Sequence, residues 1–358
     1  MQGEVVFFYA FDVANEIVPA RVRSVLGQQP TEFELAVPEN YPRDVPLVKP
    51  LALVPAVEWR LFGQPVRLLM RIYEVGVVTL TARVSFTVSA LSELARFHRP
   101  ILEDGRPLGR AAFEVGEQAC GDLQDALVRP SSVPEPEAYT AFVCTNLGPA
   151  RDAPAWLAEH GREVAGLLTE TNPAVLSPAQ VAEVLRLQRS YATLDLVVPD
   201  WDAAFVVELD GSPDSVLYVF ELANLQLEEF RAMDRMLDAY LDRAHEHLER
   251  RPLNLFGISN SMLSTLRRFR VDATKLADEV SHITKFLGDW YLARVYLAVR
   301  ERFHLDQWRA SVHERLTQLD QLYNVLHAEV NERRMLWLEA AIVLLFVIDV
   351  AVLLLGKK

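Results

Sequence analysis

The residues whose types could do chemistry are few and loosely grouped. His245, Glu246 and His247 stand side by side, but neighbours on a helix point about 100° apart, so the three cannot close on one metal ion. No HExxH spacing occurs. His282, His304, His313 and His327 are scattered and read as solvated helix positions. Glu228 with Glu229, and Asp200 with Asp202, have the residue types for general acid–base work, yet helix faces and turns carry such pairs routinely. The sequence holds no GxxxxGK[ST] loop, no GxGxxG turn and no GxSxG elbow, so the usual phosphate cradles and nucleophile turn are missing. Cys120 and Cys144 are the only cysteines and make neither a metal-ligand spacing nor a disulfide framework, which fits a reducing compartment. The expectation is a protein without catalytic residues, cofactor or metal.

At 358 residues the chain is long enough for two folded units and an anchor. Its net charge of −13 argues against nucleic acid as a direct ligand, because no basic stripe is present to neutralise phosphates. The one basic cluster, Arg267, Arg268 and Arg270, is short and reads as a solvated helix face. The first residues, MQGEVVFFYAFDVANEIVP, lack a basic region and carry Glu4, Asp12 and Glu16. That pattern is neither a secretory signal nor an Arg-rich transit peptide.

The elements that would position any site fall into an α+β order. Residues 1–130 read as a first α/β subunit. Val5 to Phe11 is a buried strand, the proline-rich stretch from Gly27 to Pro55 is extended or looped, and Val66 to Glu74 with Val77 to Val88 is a strand pair turning at Gly76. Ser89 to His98 is expected as a short helix with Leu91, Leu94 and Ala95 on one side; between Pro100 and Pro136 the pattern weakens, and the cluster of Ser131, Ser132, Pro134 and Pro136 reads as a connection. Residues 131–213 read as a second subunit: a strand over Ala138 to Asn146, helices over Pro154 to Thr169 and, capped by Ser177, Pro178 to Leu187, then a strand pair over Tyr191 to Val198 and Ala203 to Leu209. The repeated strand, strand, helix order hints at two related units.

Residues 214–333 change to long antiparallel helices. Ser215 to Arg250 places Leu222, Leu225, Phe230, Met233, Leu237 and Leu241 on one face. A break over Pro252 to Gly257, a helix over Ser259 to Leu287 and another over Asp289 to Phe303 follow. The last helix starts near Leu305. Val312, Leu316, Leu319, Tyr323, Leu326 and Val330 alternate in steps of four and three, a heptad seam that continues through Arg333, Trp337, Ala340, Leu344, Val347, Ala351 and Leu354. The seam can pack on the chain's own helices or pair chains into a homo-oligomer. Residues 334–356 are the membrane segment. From Met335 to Gly356 only Glu339 and Asp349 are charged, Arg333 and Arg334 precede the run, and Lys357 and Lys358 follow it. Its length of ~33 Å spans a hydrocarbon core. An Asp near the bilayer centre costs ~2.5–3.5 kcal/mol, but the aliphatic residues around it outweigh that term. Asp349 should therefore face a partner or a polar defect, while Glu339 in the first turn reaches the interface.

Within this order, Leu338 and Glu339, the aliphatic run from Ala340 to Ile348 and Asp349 reproduce a spacing that resembles the RMD1/RMND1 family, also known by its domain-of-unknown-function label. Phe286, Asp289, Trp290 and Tyr296 resemble that family's segment before its final helix, and Leu222 to Gln226 with Glu229, Arg231 and Asp234 resemble its first long helix. Trp337 and Ala340 depart from it, standing where the family usually has Arg before the Leu and an aromatic after the acid. The likeness covers residues 190–358. It implies a membrane-anchored protein without enzymatic activity, and eukaryotic members sit at mitochondrial membranes. With no leader at the start and the span at the end, the expectation for this chain is instead residues 1–333 in the cytoplasm and a bacterial inner membrane. The expected role is a scaffold or tether whose soluble part docks a cytoplasmic protein partner. A membrane-associated enzyme or ligand sensor using a pocket in the α/β part is the alternative. A third reading is an ion-conducting oligomer with Asp349 along a pore.

Overall fold

The computed structural model describes residues 1–25, 31–32, 50–131, 135–249 and 290–355. The expected helix over Ser259 to Leu287, the break before it, the Arg267, Arg268 and Arg270 cluster, His282 and most of the proline-rich stretch lie outside those residues, as do Lys357 and Lys358. The architecture is α+β: an N-terminal sheet, then helices, with an apolar helix last. The chain divides into two compact units, Met1–Ala232 with Leu276–Arg309, and Met233–Lys275 with Ala310–Lys358.

The first unit is built on β1 (Gln2–Asp12), whose run VVFFYAF is buried throughout. A strand apolar on both faces belongs in the middle of a covered sheet, and β1 lies there. It pairs antiparallel with β7 (Val77–Thr87) on one side and with β9 (Glu137–Asn146) on the other. Beyond β7 come β6 (Gln64–Ile72), β4 (Leu51–Leu53) and β3 (Thr31–Glu32), and β5 (Trp59–Leu61) also pairs with β6. Beyond β9 come β11 (Ala203–Glu208), parallel to it, and β10 (Asp195–Pro199), antiparallel to β11. Strands from both expected subunits thus share one nine-stranded sheet. A separate ribbon joins β2 (Ala14–Ile17) to β8 (Leu127–Pro130), close to α1 (Pro19–Val25) in sequence.

One face of the sheet carries Val5, Phe7, Tyr9 and Phe11 into a large core with α2 (Leu108–Asp122), α3 (Ala153–Leu168) and α4 (Pro178–Leu185). Asp152 and Ser177 cap the last two, accepting from the backbone N–H of Ala155 at 2.8 Å and of Gln180 at 3.1 Å. Two local expectations change. The segment Leu91–Phe97 is a 3₁₀ helix that buries Leu91, Leu94 and Phe97, not Ala95, because three residues per turn stack every third side chain. The weakly patterned stretch from Pro100 to Pro136 holds a helix that the sequence did not show, α2, at its centre.

The other face receives α5 (Asp214–Glu249), with Tyr218, Leu222 and Leu225 packed on Ala10, Tyr73 and Val77. All six apolar residues expected on one face of this helix are buried, but so are Glu221, Asn224, Gln226, Glu228 and Glu229. The first half of α5 is enclosed on every side instead of amphipathic. It is joined there by α6 (Trp290–Arg302), whose Tyr296 hydroxyl donates to Gln226.

The second unit holds the end of α5 and most of α7 (Leu305–Leu355), a single helix of 51 residues. Arg315 pairs with Asp234 at 2.8 Å and also with Asp238, and the Ser311 hydroxyl donates to Asp234 at 3.4 Å. These are contacts between helices of one chain.

Candidate functional site

Two places stand out, each within a single unit. The first is a cavity of about 540 Å³ in the sheet unit, at the end where β10 turns into β11. The turn residues Asp200, Trp201 and Asp202 form one wall, held because Asp200 N–H donates to the Ala203 carbonyl at 2.8 Å and Thr140 N–H to the Asp202 carbonyl at 3.0 Å. The C-terminal end of α3 supplies Leu168, Thr169 and Glu170. Gln180, Glu183 and Val184 come from α4, His98 from the end of the 3₁₀ helix and Arg302 from the end of α6.

Arg302 organises this site. Its side chain is only 7 % exposed. Nη1 donates to Glu183 Oε1 at 3.2 Å, Nη2 donates to the carbonyls of Glu183 and Val184 at 2.8 and 3.0 Å, and Nε faces Asp200 Oδ1 at 3.4 Å. Burial pushes the Asp200 carboxyl above its ordinary range, with the Arg302 charge opposing the shift. Glu183 is pulled the other way by hydrogen bonds from Arg186. His98 Nε2 lies 2.9 Å from the Leu167 carbonyl, and its ring meets Phe142 edge-on at 5.7 Å. Trp201 is half exposed and rests on the His304 ring at 4.5 Å. The lining therefore presents hydrogen-bond acceptors around a guanidinium engaged within the protein. Among the described residues no group of three or more His, Cys, Asp or Glu could hold a metal ion.

Of the paired acids singled out by type, Asp200 and Asp202 line the cavity, whereas Glu228 and Glu229 are each 1 % exposed inside α5. His304 joins the edge of the site through Trp201, His313 is exposed on α7, and the side chains of His245, Glu246, His247 and His327 lie outside the described ones. Sequence reasoning missed His98, Glu170, Glu183 and Arg302. A signal existed for Arg302. It continues the stripe of Val295, Ala298 and Val299, so a basic residue occupied a buried position of a helical repeat.

The second place is the end of α7. Met335–Val352 has a mean hydropathy of 2.4 over 18 residues and none of it is buried. Trp337, Glu339 and Asp349 are all exposed along it. On the seam before it, Val312 and Leu319 are buried and Leu316 and Tyr323 half-buried, while the side chains of Leu326, Val330, Arg333 and Arg334 lie outside the described ones.

Comparison with known proteins bears on the first unit. "Uncharacterized protein MJ0711" of Methanocaldococcus jannaschii is 22 % identical over 170 residues, which are 48 % of this chain and 52 % of that protein, so the match spans about half the relative's length. No solved structure matches. The family match ends at residue 214, ahead of most positions that carry the RMD1/RMND1 resemblance. The sheet with its cavity-forming turn and the three helices α2, α3 and α4 coincide with residues 2–214, and on that match the chain belongs to the family described as uncharacterized protein MJ0711, N-terminal domain.

Proposed function

We propose that this protein is a C-terminally membrane-anchored scaffold or tether, whose sheet unit works on the cytoplasmic side and docks a protein partner there, with no catalytic activity of its own. The observation that carries the reading is Met335–Val352: 18 consecutive helical residues, mean hydropathy 2.4, wholly uncovered. An apolar helix surface of that length in water opposes solubility, and a bilayer is the solvent that satisfies it. The free thiols Cys120 and Cys144 support a reducing compartment for the remainder. The RMD1-like role rests on the spacing of Glu339 and Asp349, and a homo-oligomer on the seam from Leu316 to Val330. A bacterial inner membrane is the setting that this reading favours.

The test compares the full chain with a variant lacking residues 335–358. The full chain is expected to stay in the membrane pellet after alkaline carbonate washing and the variant to be soluble, with protease added to sealed inside-out vesicles cutting the sheet unit. Release of the full chain by carbonate would end the anchor reading. A second reading, a ligand sensor at the membrane, is favoured by the cavity around Arg302.

A further inference from the structure

The cavity's own chemistry reaches beyond the anchor to a class of ligand. Glu170, Glu183, Asp200 and Asp202 line it, and Arg302 is the one guanidinium or ammonium among its described lining residues. Nη1 and Nη2 of Arg302 already donate to acceptors of the protein, and Nε faces Asp200 Oδ1 at 3.4 Å without a hydrogen bond. An incoming anion would have to displace the bonds of Nη1 and Nη2 and approach four carboxylates, so the lining disfavours anions. A single metal ion is disfavoured by a different observation: the acids and His98 are spread along the walls, and among the described residues no three such groups gather at a point. A purely apolar molecule would leave the buried Asp200 and the other acceptors dehydrated without return.

What remains is a cation long enough to meet separated acceptors. The C-terminal end of α3, at Leu168 and Thr169, adds its partial negative charge to the same space. Trp201 lines the same cavity and is half exposed, and aromatic rings attract ammonium groups. At about 540 Å³ the cavity has the size of a small-molecule site. We propose that it binds an aliphatic polyamine, an elongated cation whose several ammonium groups are shared among Glu170, Asp200 and Asp202, with Trp201 over the chain. Arg302 acts by holding Asp200 and Glu183 in place.

The experiment is calorimetric titration of the full chain, in mild detergent at physiological ionic strength, with spermidine, and with butylamine and magnesium chloride as comparators. Saturable one-site binding of spermidine is expected, tighter than either comparator. Asp202→Asn and Glu170→Gln should each weaken it about fivefold, the worth of one partly solvated ion pair. Glu117→Gln and Glu159→Gln remove the same charge from exposed positions on α2 and α3 outside the cavity, and should leave it unchanged. Absence of saturable spermidine binding overturns the proposal. So does equal weakening by all four variants, which would mean diffuse attraction to an acidic surface, and so does magnesium binding as tightly as spermidine. Because the titration is done in micelles, its failure leaves the anchor untouched, and a failed membrane extraction leaves the cavity's ligand untouched.

Discussion

Glu221 shows how much one side chain can depend on its surroundings. It is 2 % exposed on α5, and its carboxylate accepts from Arg71 on β6, from the Tyr73 hydroxyl at 3.0 Å and from Thr79 on β7. Burial, then the Glu221 charge, holds the Tyr73 phenol well above its ordinary range, so it remains a donor. Replacing Glu221 by Leu leaves a buried guanidinium without its carboxylate and should cost about 3–5 kcal/mol in urea unfolding. Adding Arg71→Met should recover most of that loss, and a double variant no more stable than the single one would refute the account. Glu208 is the opposite case, since it faces Asp195 directly across β10 and β11. Burial and then the Asp195 charge raise its carboxyl above the ordinary range. Protonated Glu208 therefore favours the fold at low pH, and that contribution is lost as pH rises through the raised folded value. Glu208→Gln should stabilise the protein at neutral pH by a few tenths of a kcal/mol after solvent screening, and the gain should vanish in acid. Thermal unfolding at two pH values measures it.

Among the elements, the β6–β7 turn is the sharpest case of a local demand. Gly76 has φ +98°, and a Cβ there would lie 1.7 Å from the Ala14 carbonyl oxygen, where the chain enters β2. Gly63 has φ +78° but open space around it. Gly76→Ala should therefore cost about 2 kcal/mol or more and Gly63→Ala roughly 1 kcal/mol, by denaturant midpoints. Equal losses would show that backbone angle alone decides. The turn was legible in the sequence because a glycine separates two strand-like apolar runs. The helix α2 was not, since its buried face is Leu108, Ala111, Ala112 and Gly116, too small to make an apolar stripe. Those small residues are what the packing of α2 on β1 requires: a Cβ on Gly116 would meet the Phe11 ring at 2.7 Å. Likewise, α5 showed its apolar spacing but not its enclosure, because burial of Glu221 and Asn224 comes from partners far away in the chain.

For the whole molecule, the apolar end of α7 is long and apolar enough to cross a membrane, and on the anchor proposal Asp349 is the group least suited to lipid. An Asp near the bilayer centre opposes insertion by ~2.5–3.5 kcal/mol. Asp349→Leu should accordingly raise the fraction of protein that resists carbonate and urea extraction, read by quantitative blotting of pellet and supernatant. An unchanged distribution would show that Asp349 is already outside the hydrocarbon or fully neutralised.

The sequence by itself determined the elements whose signal is carried by neighbours along the chain. The apolar run of β1, the strand pair β6–β7, the caps of α3 and α4 and the long apolar segment after Met335 all depend on residues within a few positions of one another. Tertiary structure alone decided that both halves of the α/β part share one sheet, that Glu221 meets Arg71 across 150 residues, and that Asp200, Glu183 and Arg302 converge on one cavity. The reason is physical. A carboxylate looks the same in a sequence whether water or a guanidinium will solvate it, and only the packed chain chooses between them.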